Sequence, residues 1–288
     1  MKASAATYAK VSTEVVPERS GRLVQSRMLD MEGMPWRYSV AGEGPALLLL
    51  TGALGRADFG SVLRERLVEH FRVIAPDYPA VAHMEEMLAG LEAILAAEGV
   101  ARAHVLGGSF GGVVAQAFSR ARGSRIASLL LSHTGGPRHA PGAGLMIRLL
   151  ALMPEPMLRG MFRSRLRPAV AIGGPGVVAA FEAAVARLTK ADLLSRVQIA
   201  AEFNRTGAGL EQSGAADFPV LILESADDPL IRKQDQAALA ALYPRAELRR
   251  FEGSGHLTAL LQTDQFAGAV IDFIRRAEPT SSGTGERR

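Results

Sequence analysis

The sequence predicts an α/β architecture: a mostly parallel, twisted sheet flanked by helices, with an all-helical segment inserted into it. Three observations carry this. Short apolar runs alternate with longer amphipathic stretches, and the runs at 103–107 and 126–132 are unbroken, as strands buried on both faces should be. A glycine-rich turn at 107–112 joins one such run directly to a helix-spaced stretch. Residues 137–215 then show helical spacing only, before strand-like runs return.

In chain order, residues 1–20 are polar and expected to fray, as is the Ser- and Gly-rich tail 279–288. Residues 36–41 and 46–51 flank Gly42-Glu43-Gly44-Pro45, a turn signal, and read as a hairpin. Residues 73–75 make a third strand, stopped at Pro76-Asp77, and 84–98 a helix. The fourth strand at 103–107, a helix at 111–122 and the fifth strand at 126–132 complete a first core segment, 21–136. The inserted cap, 137–215, opens on GGPRHAPGAG and holds helices at 145–153, 157–166, 177–188 and 192–203. The core resumes over 216–278 with strands at 220–224 and 246–251 and a helix at 263–276.

Composition narrows the function classes. Apolar residues make up 48% of the 288 and charged residues 22%, enough for a sizeable core and incompatible with disorder as the main state. The apolar runs fall far short of the ~20 residues a membrane span needs, and the first residues lack the apolar stretch of a secretory signal. With no cysteine there is no disulfide framework or thiolate metal site, and a cytoplasmic protein is expected. Residues 136–167 carry Arg138, Arg148, Arg159, Arg163, Arg165 and Arg167 against one acid, Glu155. Nucleic-acid binding would call for a broader basic face with interleaved aromatics, and only 6% of the chain is aromatic.

Three segments carry chemistry. Gly107-Gly108-Ser109-Phe110-Gly111, between a buried strand and a helix, fits a nucleophile elbow, in which a sharp turn lifts the serine hydroxyl above the sheet. The plain alternative is a glycine-rich turn or a phosphate cradle. A serine needs a base, and the base an orienting acid. Two carboxylates, Asp227 and Asp228, stand in the turn after the 220–224 strand, and His256 follows the next strand in Gly253-Ser254-Gly255-His256. The turn acids could equally serve only to shape the chain ahead of Pro229. The oxyanion donors expected are the amide of Phe110 and that of Ala53, in the Thr51-Gly52-Ala53-Leu54-Gly55 loop. His70, His104, His133 and His139 read as structural.

With elbow, acid and histidine in this order, residues 22–276 resemble the α/β-hydrolase superfamily. GGSFGG, ESADDPL and GSGH are specific for the superfamily and silent on substrate. The resemblance implies the α/β-hydrolase fold with a helical cap, a Ser-His-Asp triad, and no metal or organic cofactor. Relatives usually end a Gly-x-x-Asp pattern on the acid; Ser225-Ala226-Asp227-Asp228 fits with serine for glycine, which favours Asp228. Thr51 stands where relatives often carry His, and 75–85 lacks their glycine-rich loop. In that last feature, and in Tyr78-Pro79, His83 with Glu85, Leu152-Met153-Pro154 and Ser195-Arg196, the chain is similar to the maspardin family, which implies a serine elbow without a full triad and a partner-binding role. The presence of both Asp228 and His256 counts against that role here.

The expectation is therefore a serine hydrolase that cleaves a carboxylic ester or thioester of a hydrophobic acyl or aryl small molecule. Non-catalytic binding, carbon–carbon or amide hydrolysis and biosynthetic cyclisation are the alternatives, and homo-oligomerisation stays open. An aspartate nucleophile is excluded because position 109 is serine. The faces Leu145, Met146, Leu149, Leu150, Met153 and Met157, Leu158, Met161, Phe162, Leu166 are expected to cover the active site or pack on the core. The cap arginines are expected either to be solvated or to draw an anionic substrate, carrier or membrane surface.

Overall fold

The structure, a computed structural model, describes residues 11–17, 23–138, 141–207 and 217–278; His139 and the tail 279–288 lie outside them. A nine-stranded sheet forms the centre, in the order β1 (Ser12–Pro17), β2 (Leu23–Met31), β3 (Met34–Ala41), β5 (Arg72–Pro76), β4 (Ala46–Leu50), β6 (Ala103–Gly108), β7 (Ile126–Ser132), β8 (Val220–Ser225), β9 (Glu247–Phe251). From β5 to β9 every pairing is parallel, while β1, β2 and β3 run antiparallel along one side.

Residues 36–41 and 46–51 are not a hairpin. Strand β5 lies between β3 and β4 and bonds both. The hairpin partner of β3 is β2, joined through Glu32 and Gly33 at φ 53° and 88°, the two left-handed residues that a tight two-residue loop requires. Strand β1 pairs with β2 from Ser12 to Pro17, so this part of the N-terminal segment expected to fray is tied into the sheet.

The parallel strands bury both faces. Leu48, Leu50, Val105, Leu129, Leu131 and Ile222 point to one side, against α2 (Met84–Ala97), α3 (Phe110–Ala121) and Leu239 of α8 (Lys233–Leu242). Their neighbours Leu47, Leu49, Leu106, Leu130, Leu221 and Leu223 point to the other, against α1 (Ser61–Leu67) and α10 (Thr263–Ala277). Period-two alternation with both sets apolar is what a covered parallel sheet demands.

Between β7 and β8 come four helices, α4 (Ala143–Leu152), α5 (Glu155–Ala171), α6 (Gly174–Arg187) and α7 (Lys190–Gly207). They share two small cores of their own, Leu150, Leu158, Leu188 and Leu193 in one, and Val170, Phe181 and Val185 in the other. Leu54, from the loop after β4, packs into both and so ties the cap to the sheet. A short helix, α9 (Thr258–Leu261), follows the 3-10 turn Gly255–Leu257.

Strand order decides where a ligand can sit. The chain steps from β4 to β5 on one side and then returns to β6 on the other. Such a reversal opens a crevice beyond the carboxyl ends of the strands. Gly52–Gly55, Ser109, His133 and Asp228 all follow strand ends at that edge.

Candidate active site

Ser109 is the turn between β6 and α3, at φ 52° and ψ −116°, a conformation that L residues avoid unless the surroundings impose it. Two contacts impose it. A Cβ on Gly107 would stand 2.4 Å from the Gly111 carbonyl oxygen, and one on Gly111 would stand 2.1 Å from that of Leu50. The strand and helix can approach this closely only through glycine. The Ser109 amide donates to the Ser132 carbonyl at 2.9 Å, which locks the elbow to β7.

A cavity of about 240 Å³ opens over Ser109. It is walled by Gly52 and Ala53 of the loop after β4, by His133, His256 and Leu230, and from the cap by Leu166, Val170 and Phe181. Among the described residues no lysine, arginine or carboxylate lines it. Of the two faces expected from α4 and α5, only Leu166 reaches the cavity, while Met157, Met161, Leu145, Met146 and Leu149 face solvent and Leu150, Leu158 and Met153 pack in the cap's own core. The expectation that these two faces cover the site therefore holds at Leu166 alone; Phe162, like Leu150, Met153 and Leu158, packs into the cap's own cores.

His256 lies on the 3-10 turn, and its Nδ1 and Oδ2 of Asp228 are 2.8 Å apart. The other oxygen of Asp228 accepts the amides of Leu230 at 2.8 Å and Ile231 at 3.1 Å. Burial pushes this carboxyl upward, but the hydrogen bond and charge of His256, with the two amides, outweigh it and hold it below the usual carboxylate range. Asp227 has a different partner: its Oδ2 accepts the Gly255 amide at 3.2 Å, so it braces the turn that carries His256.

One residue set aside in the sequence stands beside His256. The His133 ring lies edge-on to the His256 ring with centroids 5.7 Å apart, at φ 47°. Its Nδ1 meets the Ser132 hydroxyl at 2.7 Å and its Nε2 the Thr258 hydroxyl at 2.8 Å. Thr258 continues to Ser254 at 2.8 Å and Ser225 at 3.0 Å. These five side chains are buried. Burial, and then the proximity of His256, lower the His133 pKa to about 4, so the ring is neutral at physiological pH. Its position after Ser132 at a strand end is the one signal that sequence offered.

Arg196 of α7 is a second residue whose place was not foreseen. Its guanidinium is buried, donates to the carbonyls of Tyr78 at 2.9 Å and Pro79 at 3.2 Å, and lies over the rings of Tyr78 and Phe110. Tyr78 in turn donates its hydroxyl to the Thr51 carbonyl at 2.9 Å. The loop with Ala53 and the elbow with Phe110 are thus fastened through one cation. Phe110 is the first residue of α3, so its amide has no acceptor within the helix.

Residues 47–269 match the Alpha/beta hydrolase family. The chain belongs to this family. It is 27% identical over 262 residues to the 2-hydroxy-6-oxononadienedioate/2-hydroxy-6-oxononatrienedioate hydrolase of Paraburkholderia xenovorans (strain LB400), covering 82% of this chain and 89% of that protein. Among solved structures, a thermophilic esterase from Thermogutta terrifontis superposes with a TM-score of 0.74 at 21% identity, covering 94% of this chain and 100% of the esterase. The enol-lactonase from Burkholderia xenovorans LB400 superposes with a TM-score of 0.71 at 18% identity, covering 86% of this chain and 99% of the lactonase. The two structures share its fold, an α/β-hydrolase sheet with flanking helices. Among the described residues no helix is long and apolar enough to cross a membrane.

Proposed function

We propose that the chain is a serine hydrolase that cleaves a carboxylic ester or thioester through an acyl-enzyme, with Ser109, His256 and Asp228 as its triad. One observation carries the reading: the 2.8 Å His256–Asp228 contact, at the edge of the cavity that Ser109 enters from a left-handed elbow. Because the Asp228 carboxylate can only accept, Nδ1 of His256 is the donor, which leaves Nε2 as the base. Ser109 Oγ attacks the acyl carbonyl carbon as Nε2 takes its proton. The amides of Phe110 and Ala53 hold the oxyanion. The tetrahedral intermediate collapses, and the alcohol or thiol leaves with the proton from His256. Water, deprotonated by the same nitrogen, then releases the acid and restores the serine.

The cavity supports an uncharged, hydrophobic acyl or aryl group, since its walls are leucine, valine, alanine and phenylalanine. Carbon–carbon hydrolysis beside a ketone is the second reading, favoured by the relative named for a dienedioate substrate. A dioate presents two carboxylates, and no lysine or arginine lines this cavity among the described residues to pair with them. That difference favours the ester or thioester.

A fluorophosphonate probe tests the proposal. Labelling of folded protein at Ser109 is expected, with at least a ~10³-fold loss of p-nitrophenyl butyrate turnover in Ser109→Ala. No labelling of folded protein would favour the partner-binding role implied by the maspardin likeness, and undiminished turnover in Ser109→Ala would remove the serine from the mechanism.

A further inference from the structure

Helix α4 presents an apolar face to solvent. Leu145, Met146, Leu149 and Leu152 are 56 to 81% exposed and lie on one side of it. Across the Met153-Pro154 turn, α5 continues with Met157 and Met161, 56 and 50% exposed, and ends near Ile172, 47% exposed. Ile172 reaches toward Gly255, next to His256. Phe59, Val62 and Leu260 are exposed at the rim of the cavity. A folded protein seldom leaves seven large apolar side chains of one stretch, residues 145–172, exposed to water unless something covers them.

The charges in the same stretch say what covers them. Residues 142–173 hold five arginines and one acid, Glu155. Glu155 is engaged by Arg159 and by the Lys190 amide, and Arg163 pairs with Glu182 at 2.5 Å. Arg148, Arg165 and Arg167 are exposed and have no ion pair among the described residues. A second copy docked on this face about a twofold axis would bring these like charges toward each other. An anionic lipid surface would satisfy the leucines, the methionines and the arginines together, as interfacial helices with leucine and arginine do.

We infer that the α4–α5 face docks on an anionic bilayer, leaving the apolar rim of the cavity beside the lipid. The inference does not rest on the triad. Joined to the proposed hydrolase reading, on which this step rests, it implies that the acyl substrate is an amphiphile taken from the membrane surface rather than from bulk water.

Vesicle co-sedimentation decides it. Wild-type protein should bind vesicles of phosphatidylglycerol and phosphatidylcholine in equal parts, bind pure phosphatidylcholine far less, and release with added salt. Arg148→Gln, Arg165→Gln and Arg167→Gln combined should weaken the anionic partition about a hundredfold, since each surface arginine is worth about a fivefold change. Leu149→Glu with Leu152→Glu should weaken it at least ~10-fold while the circular dichroism spectrum and urea midpoint stay unchanged. Absence of wild-type binding, or equal binding by both variants, would overturn the inference. So would a concentration-dependent dimer in sedimentation velocity that Leu149→Glu and Leu152→Glu disperse while vesicle binding persists.

Discussion

Replacing His133 by asparagine tests whether the buried ring beside His256 is held neutral. Asparagine tolerates the left-handed backbone there. The ring titrates at about 4 in the folded protein, against an ordinary value of 6.5, because burial and then His256 disfavour its charge. The unfolded chain therefore binds a proton over the pH interval in which the native state refuses it. Stability from this group is complete above pH 6.5 and declines as pH falls toward 4. Integrated from about pH 7.5 down to about pH 4.5, the linkage costs the wild type about 2–3 kcal/mol through this residue. The asparagine variant loses nothing by this route. At pH near 7.5 the variant should be the weaker by about 1–3 kcal/mol, because the hydroxyls of Ser132 and Thr258 lose a partner in a buried site. Urea unfolding at both pH values should thus show a gap that shrinks by about 2–3 kcal/mol in acid. His104, whose pKa is also lowered by burial, titrates in both proteins and cancels. Parallel pH dependences would refute the reasoning, for they would mean that the native state accommodates a charged His133.

Three further outcomes follow from the geometry. Asp228→Asn should cost about 10⁴ in kcat, as loss of the orienting carboxylate does, while Asp227→Asn, which only loosens the Gly255 amide, should cost about tenfold or less; ester kinetics on both variants would expose a reversed ranking. Gly111→Ala should destabilise by more than about 3 kcal/mol or prevent folding, since the new Cβ meets backbone at 2.1 Å, whereas Gly108→Ala, with nothing within 4 Å, should stay within about 1 kcal/mol of wild type in urea. Arg196→Met should lower stability by about 1–3 kcal/mol by stranding the Tyr78 and Pro79 carbonyls; an unchanged urea midpoint would mean that desolvating the guanidinium costs as much as its contacts return.

The parts of the molecule that were legible in the sequence are those whose demands are local. The elbow announces itself because Gly107 and Gly111 must be small wherever a strand turns directly into a helix. The buried strands announce themselves because Leu47 to Leu50 have no polar face to offer water. That same fact should have dissolved the hairpin. A strand apolar on both faces belongs between parallel neighbours, and a turn signal at 42–45 fixes a change of direction without naming the partner. His133 and Arg196 were illegible for a different reason. Each is polar, and each is buried by groups more than a hundred positions away, Thr258 for one and Tyr78 for the other. The Asp227–Asp228 choice, open on the residues alone, turns on which carboxylate faces His256 and which faces the Gly255 amide.

The cap shows how far a periodic pattern carries. Helical spacing located α4 and α5 and their apolar faces, but spacing could not say how much of each face is covered. The fold divides them: Leu150 and Leu158 turn inward, while Leu149 and Met157 turn out. Charge follows the same division. The cavity above Ser109 is lined by no lysine or arginine among the described residues, while Arg148, Arg165 and Arg167 lie exposed on the outer surface of the cap. A negative group on a substrate would gain nothing inside the cavity, yet a negative surface would gain both charge pairing and apolar contact outside it. With docking as inferred and cleavage at Ser109 as proposed, selection by charge is separated in space from the bond that breaks. Salt should act on delivery to the mouth of the cavity, and leave the turnover of a neutral, freely soluble ester unaltered.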